Sequence, residues 1–231
     1  MEVRRRIPTG SVSLDALLGG GISQGTVTLV YGEPGSGKTT VALSIATRLL
    51  QLDLAARVIY VDSDSKFSPT RLIQMTGKEE SLRRMSYTHP TTFEEQAEVL
   101  DRLPEKLQLG DLLVIDSVTG LYRVEIGDTQ TTFTENKELN RQLGLIKETA
   151  LTRGVAVIVT GQVRSVLDSP VPAVEPVAQR LLRFWSDIVV KLENTTTQGI
   201  KQATVEKPKT LRGAVRFAIK QSGIGDEERW R

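Results

Sequence analysis

The sequence predicts an α/β fold with a mainly parallel sheet and an antiparallel C-terminal edge. Through the first two thirds of the chain, short runs rich in β-branched residues alternate with segments of helical periodicity, which is the pattern of βα units. Three short β-rich runs with turn sequences between them follow in the last third, and this favours antiparallel strands. The 231 residues suit a single domain, 1–231, with 1–25 as a lead-in and 221–231 as a mobile tail.

The predicted elements follow in a regular order. The parallel part is expected to have strands at 26–31, 58–62, 112–116 and 155–160, and helices at 38–50, 92–107 and 135–153. Pro104 is expected to end or kink the second helix. Residues 164–180 hold three prolines and no clear period, which predicts a long surface loop. The antiparallel strands are expected at 187–193, 200–206 and 214–220.

The composition excludes several classes of protein. Hydrophobic residues make up 39% and charged residues 25%, which is ordinary for a globular protein. There is no cysteine, so a disulfide framework and a cysteine-based zinc site are excluded, and the single histidine, His89, is a poor metal ligand on its own. No run of eighteen apolar residues and no signal segment is present, so we expect a cytoplasmic protein without a membrane span.

Charge is distributed unevenly along the chain. The net charge is +2, but residues 151–220 carry 11 Lys/Arg and five Asp/Glu. Such an excess indicates either a solvated basic face or a surface for a polyanion such as DNA, and charge alone does not decide between them.

A glycine-rich segment joins the first predicted strand of the parallel part to its helix. Residues 32–39 read Gly-Glu-Pro-Gly-Ser-Gly-Lys-Thr and match every position of a phosphate-binding loop. Glycines let backbone N–H groups approach an anion closely, and the following helix begins with unpaired N–H groups. Lys38 is expected to reach the β- and γ-phosphates and Thr39 to ligate Mg²⁺, which predicts binding of ATP with Mg²⁺. The predicted nucleotide contacts are Gly32, Glu33, Pro34, Gly35, Ser36, Gly37, Lys38, Thr39 and Thr40.

An acidic residue, Asp116, ends the apolar strand at 112–116. The carboxyl ends of parallel strands meet at the ligand-binding edge of an α/β sheet, so Asp116 is the expected second protein partner of the magnesium. The alternative is a cap on the backbone of Ser117 and Val118.

Two further polar groups are expected at the same edge. Asp64 follows the strand at 58–62, and Gln162 follows the strand at 155–160. Either could orient or activate an attacking water molecule, so both are the candidate catalytic residues. An ordinary role in a turn remains the alternative for each.

Several stretches resemble the recombinases of the RecA/RadA family and the related KaiC-type ATPases. They are Ile-Pro-Thr-Gly at 7–10, Leu-Leu-Gly-Gly-Gly-Ile at 17–22, Tyr-Val-Asp-Ser-Asp at 60–64, Phe-Ser-Pro-Thr-Arg-Leu at 67–72 and Val-Ile-Val-Thr-Gly-Gln-Val at 157–163. Because these motifs begin within ten residues of the start, the resemblance is closest to the archaeal RadB paralogues, which lack the N-terminal helical domain of full recombinases.

This resemblance implies a RecA-like P-loop ATPase core in which Arg71 stacks on adenine and Gln162 links the γ-phosphate to the following loop. The loops at about 163–183 and near 123–134 would contact single- or double-stranded DNA. The implied function is an ATP- and DNA-binding accessory protein of DNA repair and homologous recombination, with weak ATPase activity and no strand exchange of its own. The implied partners are a RadA-type recombinase, a junction nuclease or further copies of the chain.

The alternative is a KaiC-like oligomeric signalling ATPase. Ring ATPases of that kind place a basic residue of one subunit near the γ-phosphate of the next. Lys207, Lys209 and Arg212 lie on a predicted turn that could supply it, or could form an ordinary solvated turn.

Departures from the recombinase pattern predict altered activity. Asp64 stands where recombinases have a glutamate, and a base displaced by about 1 Å can cost roughly 10²-fold in rate, so slow hydrolysis is expected. Gly161 replaces an asparagine, and Ala178-Gln179 replace a glycine pair of the DNA loop. No phenylalanine has an alanine three residues on, so this chain cannot donate a Phe-x-x-Ala docking motif but could accept one.

Overall fold

The computed structural model describes residues 5–126, 129–165 and 174–227. The strands are β1 (Arg6–Ile7), β2 (Ile22–Ser23), β3 (Val27–Gly32), β4 (Val58–Asp62), β5 (Met85–Thr88), β6 (Leu112–Asp116), β7 (Ala156–Gly161), β8 (Val163–Ser165), β9 (Val174–Pro176), β10 (Ile188–Asn194), β11 (Ile200–Lys207), β12 (Gly213–Lys220) and β13 (Gly223–Asp226). The α-helices are α1 (Val12–Leu17), α2 (Lys38–Leu52), α3 (Pro69–Thr76), α4 (Phe93–Asp101), α5 (Leu103–Lys106), α6 (Gly120–Glu125), α7 (Thr129–Arg153) and α8 (Gln179–Trp185). Short 3₁₀ helices span Glu79–Arg84 and Lys209–Leu211.

Nine of the described strands form one sheet in the order β13-β12-β11-β10-β3-β7-β6-β4-β5. The strands from β10 to β5 run parallel, and β10 to β13 are joined antiparallel, as the sequence predicts. Tyr31 pairs with Gly161 and Asp62 with Asp116, so the carboxyl ends of β3, β7, β4 and β6 share one edge of the sheet.

Helices cover both faces of the central strands. One core cluster packs α1, α2 and α3 on one face of the sheet, and a second packs α4, α7 and α8 on the other. Strands β3, β4, β6 and β7 are buried along their whole length. This explains why they read as continuous apolar runs rather than alternating ones.

Two predicted segments differ from the structure in their local form. The helix predicted at 92–107 is broken at Arg102 into α4 and α5, with Pro104 in the first turn of α5, where a missing N–H costs little. The prediction of a loop at 164–180 is wrong for β8, β9 and the start of α8, since β8 and β9 pair as a hairpin; residues 166–173 lie outside the described part. The expected loop near 123–134 is largely helical, because α6 ends at Glu125 and α7 begins at Thr129, with 127–128 not described.

The expected mobile tail from 221 is wrong for β13, while 228–231 lie outside the described part. Strand β13 pairs with β12 and buries Ile224. The Asp226 carboxylate accepts hydrogen bonds from Ser11 Oγ at 2.7 Å and from the backbone N–H of Ser13 at 2.9 Å, which joins β13 to the start of α1. In the described part, no helix combines the length and apolar character needed to cross a membrane.

Candidate nucleotide site

The glycine-rich loop turns between β3 and α2 in close contact with neighbouring strands. A Cβ on Gly32 would lie 2.2 Å from the carbonyl oxygen of Leu192 on β10, and one on Gly37 would lie 2.9 Å from a side-chain carbon of Ile219 on β12. Gly37 also has a left-handed φ of 98° at the start of α2. Side chains are therefore excluded where the loop passes the sheet.

The interior of the loop fits an anion. Ser36 Oγ is buried and has no hydrogen-bond partner among the described residues, and the N-terminus of α2 opens into the loop. Lys38 Nζ donates to the carbonyl oxygens of Gly32 at 2.7 Å and Glu33 at 3.0 Å, so its ammonium lies across the loop. Burial lowers the pKa of Lys38, and the charge of Lys66 lowers it further. An anion in the loop would favour the charged lysine.

Asp116 and Thr39 meet at the edge of the sheet. Thr39 Oγ1 donates to Asp116 Oδ2 at 2.7 Å, and the Tyr60 hydroxyl donates to the same oxygen at 2.8 Å. Thr160 Oγ1 donates to the other carboxylate oxygen. The backbone N–H of Val118 donates to the Thr160 carbonyl instead of to Asp116, which argues against the alternative that Asp116 is a turn cap.

Asp64 and Gln162 are also brought together. Gln162 Nε2 donates to Asp64 Oδ1 at 3.0 Å and to Oδ2 at 3.2 Å, although the two residues follow different strands. Ser117 Oγ donates to Oδ1 at 3.0 Å and Lys66 Nζ to Oδ2 at 2.7 Å. The Asp64 backbone N–H lies 3.3 Å from the carbonyl oxygen of Asp116, which links the two acidic residues.

The electrostatic environment of Asp64 favours its ionised form. Burial acts to raise the pKa of Asp64, but hydrogen bonds from Lys66, Gln162 and Ser117 outweigh it and hold the pKa below its ordinary value. A carboxylate with a lowered pKa is a weaker base. The surroundings therefore stabilise the charge of Asp64 at the expense of its basicity.

Arg71, on α3, donates to the backbone of the β12–β13 turn. Its guanidinium bonds the carbonyl oxygens of Lys220 at 2.7 Å and Gln221 at 2.8 Å. Because Ile219 of the same strand lies beside Gly37, Arg71 and the phosphate loop contact the same end of β12. Its stacking on adenine stays a prediction.

The loop after β4 contains contacts that the sequence did not reveal. Asp62 does not offer a second acid to the site, because its carboxylate accepts the backbone N–H groups of Lys66 at 3.0 Å and Phe67 at 2.9 Å. His89 Nδ1 donates to the Asp62 carbonyl at 2.6 Å, and its Nε2 lies 3.1 Å from Ser65 Oγ. His89 therefore fixes this loop, a role for which the sequence, where it stands only as a lone histidine and a poor metal ligand, gave no signal.

Comparison with known proteins is consistent with this arrangement. The family model described as Rad51 matches residues 3–227. The chain belongs to the Rad51 family. The DNA repair and recombination protein RadB of Methanosphaera stadtmanae is 35% identical over 225 residues, which cover 94% of each chain. The protein of the same name from Thermococcus kodakarensis is 36% identical over 237 residues, covering 96% of this chain and 100% of the relative. These matches confirm the predicted recombinase family, the RecA-like fold class and the resemblance to RadB.

Many basic residues of this Rad51-family chain are already paired in its C-terminal half. Arg164 contacts Glu175 across the β8–β9 hairpin at 2.7 Å, and Arg183 contacts Glu206. Lys207 Nζ donates to the carbonyl oxygens of Arg183 at 2.8 Å and Ser186 at 2.6 Å, at the end of α8. The possibility that Lys207 reaches the phosphate of a neighbouring subunit is therefore not supported, because its ammonium stabilises the end of α8. Lys209 and Arg212 are exposed on the same turn.

An apolar pocket of about 320 Å³ lies beside the loop after β4. It is lined by Phe67, Pro69, Leu82, Met85 and Tyr87. The rings of Phe67 and Tyr87 stack with centroids 4.8 Å apart, and the Tyr87 hydroxyl donates to Asp62 at 3.2 Å. The pocket thus has an aromatic wall fixed to the same loop that carries Asp64.

Proposed function

We propose that this Rad51-family chain is an ATP- and DNA-binding accessory protein of DNA repair and recombination, with slow ATP hydrolysis and no strand exchange of its own. The observation that carries the proposal is the meeting of the phosphate loop, the Thr39–Asp116 pair and the Asp64–Gln162 pair at one sheet edge. The names of its archaeal RadB relatives support the assignment to repair and recombination.

The residues of the loop would hold the nucleotide. Backbone N–H groups of residues 32–39 and the ammonium of Lys38 would bind phosphate oxygens, and Thr39 and Asp116 would hold the magnesium. When bound, Mg-ATP supplies a terminal phosphoryl group that can be transferred to water. Arg71 would contact the base after giving up the carbonyl oxygens of the β12–β13 turn.

Slow hydrolysis follows from the state of Asp64. Its two carboxylate oxygens accept four hydrogen bonds within the described residues, and its pKa is lowered. A carboxylate on a shorter side chain, with its oxygens already hydrogen-bonded, takes a proton from water poorly. ATP would therefore act mainly as a conformational ligand.

DNA would bind on the side of Gln162. Arg123 Nη1 lies 3.4 Å from Gln162 Oε1, and the Gln162 backbone carbonyl accepts the N–H of Val177 beyond the β8–β9 hairpin. Arg180 is exposed at the start of α8. These arginines are suited to phosphate contacts, which position a nucleic acid without reading its sequence.

A protein partner would bind at the apolar pocket beside Phe67. Its aromatic wall is suited to a phenylalanine from a docking motif, which the chain itself does not contain. The partner would be a RadA-type recombinase or a junction nuclease, and further copies of the chain could assemble through other contacts. The location of the protein would be the cytoplasm, where the DNA of archaeal cells such as those of its relatives lies.

The test is a fluorescence anisotropy titration of labelled single-stranded DNA at low salt, without nucleotide and with Mg-ATP or Mg-ADP. Binding is expected in all conditions, and steady-state ATPase is expected to be low with little stimulation by DNA. The Lys38→Ala variant should keep DNA binding and lose the effect of ATP. Absence of DNA binding in every condition would contradict the proposal.

A further inference from the structure

Lys66 follows Asp64 by two residues and lies on the open side of the site. Its ammonium donates to Asp64 Oδ2 at 2.7 Å; the side chain of Lys66 is 51% exposed, whereas that of Asp64 is 6% exposed. We propose that Lys66 is a second phosphate-binding lysine of the nucleotide site and contacts the terminal phosphate of ATP from within the same chain. This inference rests on the proposed ATP binding and deepens it.

The backbone around Lys66 is held in place rather than loosely tethered. The Asp62 carboxylate accepts the Lys66 N–H at 3.0 Å. Ser65 has a left-handed φ of 55°, a conformation that costs energy for a residue other than glycine. His89 stabilises this conformation from both sides, through the Asp62 carbonyl and Ser65 Oγ. The backbone position of Lys66 relative to the candidate site is therefore fixed.

Lys66 and Lys38 both lie at the carboxyl edge of the sheet. Lys38 begins the helix after β3 and Lys66 lies in the loop after β4, and the carboxyl ends of these two strands share that edge. The Asp64 backbone N–H lies 3.3 Å from the Asp116 carbonyl oxygen, and the Asp116 carboxylate accepts Thr39 Oγ1 at 2.7 Å. Two ammonium groups and the N-terminus of α2 are thus brought to one edge, where a triphosphate would be attracted. Lys66 contacts Asp64, which also accepts hydrogen bonds from Gln162. Asp64 and Gln162 are the candidate groups at the attacking water. The phosphate beside them would be the terminal one.

Transfer of Lys66 from Asp64 to a phosphate would leave Asp64 well bonded. Ser117 and Gln162 together supply three hydrogen bonds to its carboxylate, at 3.0 to 3.2 Å. Other cations near the site contact neutral groups: Arg71 the carbonyl oxygens of the β12–β13 turn, and Lys201, beside Gly37, the side-chain oxygen of Asn194 at 2.6 Å. Lys66 has a half-exposed side chain, and its movement to a phosphate would not leave its carboxylate partner without hydrogen bonds.

The experiment compares Mg-AMP-PNP and Mg-ADP by calorimetric titration into the full chain and its Lys66→Ala variant. Loss of a charge-assisted hydrogen bond to the terminal phosphate should weaken AMP-PNP binding by about tenfold or more. Binding of Mg-ADP should change by less than about twofold, since that phosphate is absent. Lys66→Arg should retain most of the preference for AMP-PNP, because it keeps the charge.

Lys106→Ala is the matched control, since Lys106 is exposed on α5 away from the nucleotide edge. It should leave both affinities unchanged. Lys66→Gln serves as a second variant if Lys66→Ala fails to fold by circular dichroism. The role of Lys66 would be overturned if Lys66→Ala weakened binding of Mg-AMP-PNP and Mg-ADP equally. It would also be overturned if the variant hydrolysed ATP faster while the ratio of the two affinities stayed unchanged. If the wild-type chain binds neither nucleotide, both the role of Lys66 and the proposed ATP binding fail.

Discussion

At the residue scale, the position of Asp64 depends on the missing side chain of Gly120. A Cβ on Gly120 would lie 2.1 Å from Asp64 Oδ1 and 3.1 Å from Ser117 Oγ. We expect Gly120→Ala to displace the carboxylate from Ser117 and Gln162 and to lower single-turnover ATP hydrolysis by about tenfold or more, because the cost of misplacing a catalytic group exceeds the gain in basicity from the lost hydrogen bonds. Affinity for Mg-ATP should stay within about twofold, because Gly120 does not line the phosphate loop.

Gly144→Ala provides the matched control for this substitution. Gly144 lies on α7, where a Cβ would approach the Trp185 ring at 3.4 Å, an ordinary contact distance. The control should retain full hydrolysis and equal or greater thermal stability, since alanine is the better helix former. Unchanged hydrolysis in Gly120→Ala would contradict the role assigned to the Asp64 carboxylate.

The length of the side chain at 64 is expected to limit turnover. Asp64→Glu adds one methylene and should raise steady-state ATP hydrolysis by about tenfold or more, since displacement of a base by about 1 Å can cost roughly 10²-fold. Asp64→Asn is the companion variant and should lower hydrolysis, because the amide cannot accept a proton. Absence of any gain in Asp64→Glu would argue that Asp64 is not a shortened catalytic base.

The sequence pattern predicted where the polar residues of the candidate site lie, but not the hydrogen bonds that they make. The positions of Asp64, Asp116 and Gln162 could be predicted because each ends or follows an apolar strand, and parallel strands end at one edge. The contact between Asp64 and Lys66 could not, because it depends on a left-handed Ser65 and on His89 from another strand end. Such contacts follow from tertiary packing, which leaves no local period in the sequence.

At the element scale, β13 and α1 stabilise one another through Asp226. Its carboxylate accepts hydrogen bonds from Ser11, Val12 and Ser13, and those from Ser13 and then Ser11 help to lower its pKa to about 2. We expect Asp226→Ala to lower the free energy of unfolding by about 1 kcal/mol, as for loss of a helix cap. For a chain of this size, that corresponds to a fall of about 2–4 °C in Tm.

The pH dependence of this contact follows from the direction of the pKa shift. A depressed pKa means that Asp226 stabilises the fold fully above its unfolded pKa of about 3.9, and that the effect is lost as the pH falls towards 2. Thermal unfolding of wild type and Asp226→Ala should therefore differ at pH 7 and converge near pH 2. Glu105→Ala, an exposed carboxylate on α5, should show no such difference.

The elements differ in how well local pattern predicts them. The strand predicted at 58–62 and the one at 112–116 have the bounds seen for β4 and β6, because buried parallel strands are uniformly apolar. Strand β13 was not predicted, because its sequence, Gly-Ile-Gly-Asp, has little β propensity. The strand forms through its pairing with β12 and the contacts of Asp226.

At the scale of the whole molecule, Gln162 joins the nucleotide site to the side expected to bind DNA. Its amide contacts Asp64 and its Oε1 lies near Arg123 on α6, while its backbone accepts the N–H of Val177 after the β8–β9 hairpin. If the hydrogen bonds of Gln162 change when a terminal phosphate is bound, the change can be transmitted to α6 and to the β8–β9 hairpin. Coupling of this kind must be reciprocal, so ATP and DNA should raise each other's affinity by the same factor.

We therefore expect Gln162→Ala to abolish this coupling while each ligand still binds. In wild type, Mg-AMP-PNP should strengthen binding of single-stranded DNA by about fivefold or more, a modest coupling free energy. In Gln162→Ala, DNA affinity should be equal with Mg-AMP-PNP, with Mg-ADP and without nucleotide, as measured by anisotropy. Gln108→Ala, a polar residue before β6 at the opposite edge of the sheet, should keep the full effect. If Mg-AMP-PNP still strengthened DNA binding in Gln162→Ala, the coupling would not depend on the Asp64–Gln162 hydrogen bond, and the role assigned to Gln162 would be contradicted.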